Sequence, residues 1–146
     1  ENTLGLSQFL SGEEEFDNIV KYSGMDNLYI VTAGKPTEKP AELISSKNMK
    51  LFLDKASSRF SKIIFDTPPV TLVTDAQIMS SISTGVILIA ERGRITKELL
   101  SRSKELLEKV DAKILGVIIN NSSLTQDTYS YPTYYYGKFY SPAAKD

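Results

Sequence analysis

Residues 62–70, KIIFDTPPV, set three apolar side chains directly before an aspartate, a threonine and two prolines. Ile63, Ile64 and Phe65 are β-branched or aromatic and too few for a helix, so they predict a short strand buried on both faces. Asp66 then falls at its carboxyl end. Ligands of open parallel α/β sheets bind at that edge, and a carboxylate there can hold a hydrated metal ion. The same aspartate can instead cap a turn stiffened by Pro68 and Pro69, and strand context leaves both roles open. The second chemically capable group is Tyr129, Tyr131, Tyr134, Tyr135, Tyr136 and Tyr140, six of the eight tyrosines, packed into a dozen residues with Pro132 and Gly137. No helical or strand period fits their spacing. As phosphate acceptors each would gain about −1.5 to −2 charges. As an aromatic, adhesive or disordered tail they would need no chemistry, because aliphatic residues disappear after Asn121 apart from Leu124 and a few alanines.

Composition excludes several other chemistries. The 146 residues carry no cysteine and no histidine, which removes thiol nucleophiles, Cys-ligated zinc and the commonest general base. Catalysis must then run on carboxylates, lysines, backbone groups and metal. Seventeen basic against eighteen acidic residues leave a net charge of −1, so no overall field favours nucleic acid or an anionic membrane surface. No apolar run approaches the roughly 20 residues of a membrane span, and the opening ENTLGLSQFL is no signal peptide, so the expectation is a soluble, cytoplasmic chain.

The elements that must hold Asp66 alternate between strands and helices, the pattern of βαβ units. NLYIVTAG (27–34) predicts a strand ending on Gly34, and a proline-bearing loop follows. Pro40 and Glu42 suit the first turn of a short helix through Ile44. Ser46 is the expected N-cap of a longer helix reaching about Phe60, with Leu51, Phe52 and Ala56 as its buried stripe. TDAQIMSSIS (74–83) predicts a short helix capped by Thr74, with Ala76, Ile78 and Met79 as its apolar contacts. Val86 to Ala90 contain no polar side chain and predict a central strand covered on both faces. TKELLSRSKELLEKV sets Leu99, Leu106, Leu107 and Val110 on one helical face and charges on the other, an amphipathic covering helix. KILGVIINN (113–121) is the last core strand, and its terminal Asn120 and Asn121 return to the ligand edge.

FDTPPV at a strand end combined with a terminal tyrosine cluster resembles one family, the cytoplasmic kinase domain of the bacterial tyrosine kinases, or BY-kinases, of capsular and extracellular polysaccharide export. The similar segments run in order through LGLSQFLSG, LYIVTAG, KPAELISSKNM, KIIFDTPPVTLVTDAQIM, GVILIAERGRITKE and ILGVIINN. DTPPV followed by TDA is the most specific of them. ATPases of chromosome partitioning and division siting share the deviant P-loop fold but usually lack the tyrosines.

The resemblance implies a three-layer parallel sheet with helices on both faces, of the P-loop NTPase-like, deviant Walker type, over 1–121, and an autophosphorylation tail over 122–146. It implies ATP and Mg²⁺ as cofactors, with Asp66 holding the metal through water and Thr67, Pro68 and Pro69 forming the rigid turn that aims it. Asn120 or Asn121 resembles the residue whose amide meets the adenine edge, although a turn-forming asparagine accounts for either as well. Asp75 falls on the motif too, but a carboxylate at a helix start is the simpler account. The six tail tyrosines match the family's acceptor cluster. Implied partners are copies of itself in a ring, a transmembrane activator or polysaccharide co-polymerase, and a counteracting tyrosine phosphatase, with no nucleic acid. The implied location is the inner face of the cell membrane, reached through a partner. Two of the family's three ATP-site motifs are missing, because no GxxxxGK[ST] occurs and no second aspartate-ended strand precedes Asp66. The chain is therefore expected to be the carboxyl-terminal part of a longer kinase. The alternatives are a degenerate relative that binds no nucleotide, a partitioning-type ATPase switch, and a scaffold whose tail another kinase modifies.

Overall fold

Helix α1 (Leu6–Ser11) starts from Gly5, whose extended backbone lets its N–H turn back to Gln8, the third residue of the helix. The carboxamide Oε1 of Gln8 accepts that N–H at 3.1 Å, which is half of a capping box, since glycine has no side chain to reciprocate. The computed structural model describes residues 3–120, so Asn121 and all six tail tyrosines lie outside the described residues. The chain separates after Ile63 into two bodies.

In the first body α1 is followed by α2 (Phe16–Ile19), a short antiparallel hairpin of β1 (Lys21–Tyr22) and β2 (Tyr29–Ile30), α3 (Pro40–Ile44) and α4 (Lys47–Arg59). Its core is aromatic. Phe9, Phe16 and Phe52 meet in a triangle of ring-centroid distances 6.2, 5.8 and 5.6 Å, edge-on or tilted, and Leu10, Ile19, Met49 and Ala56 complete the cluster. Edge-to-face pairs of this kind add about 0.5–1.5 kcal/mol each beyond the area they bury. The loop after β2 is clasped onto the start of α1. Leu6 N–H donates to Thr32 O at 2.8 Å, Ser7 N–H to Ala33 O at 3.0 Å, Thr32 Oγ1 to Leu4 O at 2.8 Å and Ser7 Oγ to Lys35 O at 2.8 Å. Gly34, at φ +84°, closes the clasp, and a β-carbon there would collide with Gln8 Oε1.

The second body holds α5 (Asp75–Ser81), β3 (Val86–Glu91), α6 (Lys97–Glu108) and β4 (Ile114–Asn120). β3 and β4 pair in parallel, with α6 as the crossover between them, so this is the βαβ unit that the alternating pattern predicts. Thr96 caps α6 by accepting the Leu99 N–H at 3.2 Å. Leu107 is the buried anchor of that helix.

Several sequence expectations need correction. The segment 62–65 is not a strand, and Ile64 is 91% exposed. A parallel strand needs a neighbour to take its N–H and C=O groups, and among the described residues β3 pairs with β4 alone. The strand expected over 27–34 shrinks to two residues, paired antiparallel in a hairpin. β3 and β4 are covered on one face only: Leu88 and Ala90 turn inward, while Ile87 and the 68% exposed Ile89 turn outward. Among the described residues, no element of the second body covers that outward row. On α4, Met49 rather than Leu51 joins Phe52 and Ala56 in the core, and Ser46 and Thr74 occupy the cap positions without a side-chain cap bond.

Candidate functional site

Asp66 follows Phe65 in an extended segment that has no regular structure until α5 begins, and its side chain is exposed. The prolines behave as their ring chemistry dictates. Pro68 and Pro69 have no N–H to lose, and a turn closes behind them through Leu72 N–H donating to Pro69 O at 3.0 Å. Gln77 Nε2 reaches back from α5 to Val70 O at 3.5 Å, which fastens the turn to the helix. Asp75 stands in the first turn of α5, where a carboxylate complements the helix dipole, and it is buried along with Ala76, Met79 and Ser80.

A second group of polar residues stands at the carboxyl ends of the parallel strands. Glu91 and Asn120 are the last register pair of β3 and β4. Arg92 N–H donates to Asn120 O at 3.1 Å as the chain leaves β3, and a tight turn over Gly93 brings Arg94 N–H and Ile95 N–H onto Glu91 O, each at 3.1 Å. The Arg94 guanidinium meets the Glu91 carboxylate at 3.0 Å with both side chains about one third exposed, a geometry worth only about 0–1 kcal/mol. Glu91, Arg92 and Arg94 were not singled out in the sequence, where ERGR follows the strand without a pattern of its own. The signal that could have found them is position, since charged residues immediately after a parallel strand fall on its ligand edge.

Among the described residues no group of three or more aspartates, glutamates, cysteines or histidines gathers to hold a metal ion. Asp66 offers one hard oxygen donor open to water. That suits Mg²⁺, which keeps most of its water and takes one or two carboxylates, and does not suit an all-protein cage. A cavity of about 300 Å³ lies elsewhere, between α6 and the covered face of the sheet, lined by Leu88, Ile114, Val117, Leu100 and Ser101 with Lys97 and Lys104. Its lining is mostly aliphatic and lacks the converging N–H groups a triphosphate requires, so it does not extend the Asp66 edge.

No known family profile matches the chain. Individual proteins do. It is 36% identical over 126 residues to the tyrosine-protein kinase YwqD of Bacillus subtilis, covering 86% of this chain and 53% of that protein. It is 34% identical over 125 residues to the tyrosine-protein kinase CpsD of Streptococcus agalactiae, covering 86% of this chain and 54% of that one. The solved kinase domain of the Escherichia coli tyrosine kinase ETK superposes with a TM-score of 0.79 at 29% identity, over 90% of this chain and 52% of the other. The chain thus spans about half the length of the relatives it matches.

Proposed function

The chain belongs to the bacterial tyrosine-protein kinases, and from that premise we propose that it forms the carboxyl-terminal part of an ATP-dependent tyrosine autokinase acting in capsular or extracellular polysaccharide production. The observation that carries the reading is the similarity to named tyrosine kinases along nearly the whole chain, 86% of it in the case of YwqD. Residues 1–121 would complete a P-loop, three-layer kinase domain, and 122–146 would supply the acceptors Tyr129, Tyr131, Tyr134, Tyr135, Tyr136 and Tyr140.

In this reading Asp66 would hold Mg²⁺ through water, with the turn at Pro68 and Pro69 limiting the motion of the segment that carries it. The metal supplies electrostatic screening of charge that develops on the transferred phosphoryl group. Asp66 itself must be held in place, which the proline-fixed turn that follows it favours. Asn120 or Asn121 would meet the adenine edge. The described residues fit the metal but include nothing that grips a triphosphate, so the 146-residue chain by itself should bind Mg-ATP weakly or not at all. Partners in this reading are further copies in a ring, a transmembrane activator that recruits the kinase to the inner membrane face, and an opposing phosphatase.

Incubating the full-length protein with Mg-ATP alone and assaying phosphotyrosine tests the reading. Labelling supports an autokinase. Hydrolysis without labelling would favour a partitioning-type switch, and neither would favour a scaffold modified by another enzyme.

A further inference from the structure

Outside the tail the chain has two tyrosines, Tyr22 and Tyr29, and they stand opposite each other across the β1–β2 hairpin. Their surroundings differ. Tyr29 is 41% exposed, and its ring packs 5.1 Å from that of Phe60, with the Arg59 guanidinium 5.6 Å from its centroid and 5.4 Å from that of Phe60. Arg59 is itself fixed by an ion pair to Asp17 at 2.7 Å. Tyr22 is 57% exposed; its ring lies against that of Tyr29, 5.8 Å between centroids, and its hydroxyl donates to the exposed Asp26 at 3.4 Å. It lies directly before the turn 23–27, where Gly24 and Asn27 both take positive φ and Met25 projects into solvent. None of the four strand residues of this hairpin is buried, and the turn is closed by Ser23 N–H to Leu28 O and Leu28 N–H to Met25 O, each at 3.1 Å. Such a segment opens locally at small cost, which an acceptor needs to enter a catalytic site.

We infer that Tyr22 is a phosphate acceptor of this kinase, separate from the tail cluster. The inference rests on the autokinase reading above. The transfer breaks the bond between the γ-phosphorus of ATP and its β,γ-bridging oxygen, forms a bond from that phosphorus to Tyr22 Oη, and releases ADP and the phenolic proton. The consequence is local and electrostatic. The hydroxyl that donates to Asp26 is replaced by a group carrying about −1.5 to −2 charges, which repels the same carboxylate. The turn 23–27 loses the Tyr22–Asp26 tie and keeps the Met25 N–H to Ser23 Oγ bond, while Tyr29 stays packed on Phe60 and Arg59.

The test uses the full-length protein with all six tail tyrosines changed to phenylalanine, incubated with Mg-ATP beside the wild type. Activity of the six-phenylalanine protein is checked by its labelling of a catalytically dead wild-type subunit. Trypsin cuts after Lys21 but not before Pro36 or Pro40, so Tyr22 and Tyr29 stay on one peptide, residues 22–47, and fragment ions must assign the phosphate. The expected result is a singly modified peptide with the phosphate on Tyr22, lost on adding Tyr22→Phe and retained on adding Tyr29→Phe. A six-phenylalanine protein that labels its dead partner but carries no phosphate on Tyr22 overturns the proposal and leaves the autokinase reading intact. A wild type that labels nowhere overturns both.

Discussion

Gln8 Oε1 accepts the backbone N–H of Lys35 at 3.2 Å, across 27 residues of sequence, and the Gly5 N–H at 3.1 Å from the same buried oxygen. Replacing that carboxamide with an apolar group of similar size leaves two backbone donors without their acceptor. Gln8→Leu should therefore cost about 2–3 kcal/mol, the usual penalty for orphaned buried polar groups. Urea unfolding followed by circular dichroism measures it, and a midpoint unchanged from wild type would show that water replaces the glutamine. Gly34→Ala should be at least as damaging, since its β-carbon would meet Gln8 Oε1 and its φ is +84°.

The aromatic triangle makes an equally direct prediction. Phe52 contacts both Phe9 and Phe16, so Phe52→Ala should lose about 3–5 kcal/mol, as large-to-small changes in tight cores do. Its neighbour Leu51 faces water, and Leu51→Ala should stay within about 0.5 kcal/mol of wild type. Similar losses from the two substitutions would place α4 in the wrong rotation about its axis.

At the start of α6 the Thr96 hydroxyl accepts the Leu99 N–H, and Thr96→Ala should cost about 1 kcal/mol. The carboxyl of Glu98 is held below its ordinary value, first by its own backbone N–H and then by the Thr96 hydroxyl. A depressed folded-state value means that this carboxylate adds stability above its unfolded pKa, and that the addition fades as pH falls through the folded one. The stability gap between wild type and Glu98→Gln should thus be present at neutral pH and close under acid conditions, below the usual carboxylate range. A gap that widens on acidification contradicts the assignment.

For Asp66 the prediction concerns chemistry rather than folding. Asp66→Asn in the full-length protein should lower autophosphorylation by about two orders of magnitude or more, near 3 kcal/mol of lost charge stabilisation. Its side chain is exposed, so the unfolding midpoint should barely move. Unaltered labelling by a folded variant would leave the carboxylate as a turn former beside Pro68.

How legible all this was in the sequence depended on whether the signal was local. α6 was readable because its apolar period is carried within fifteen residues, and the β3–α6–β4 unit followed from two strands flanking it, whereas its Thr96 cap was not read. α3 was readable from Pro40 at its start. Residues 63–65 have every local mark of a strand, yet strand pairing is a property of two segments, and the second is not among the described residues. The same reason explains the outward-facing Ile87 and Ile89 on a strand whose composition demands cover on both faces. The Gln8 clasp went unread because a lone glutamine in LGLSQFL carries no pattern, and its meaning lies with Gly34, far along the chain. Asp66 was found by motif, whereas Glu91 and Arg94 needed the strand register.

The outward row of the parallel pair has a thermal consequence. Ile87, Ile89 and Ile118 are each at least half exposed in the folded chain, so unfolding uncovers little of their surface anew. The heat-capacity increment of unfolding comes mainly from newly hydrated apolar area, about 0.45 cal/mol/K for each Å². For these 146 residues the increment per residue should fall below the usual 12–15 cal/mol/K, and the denaturant m-value should fall with it. Stability then varies gently with temperature. Any molecule that covers the row would steepen the curve, and scanning calorimetry would register that binding as a rise in the increment.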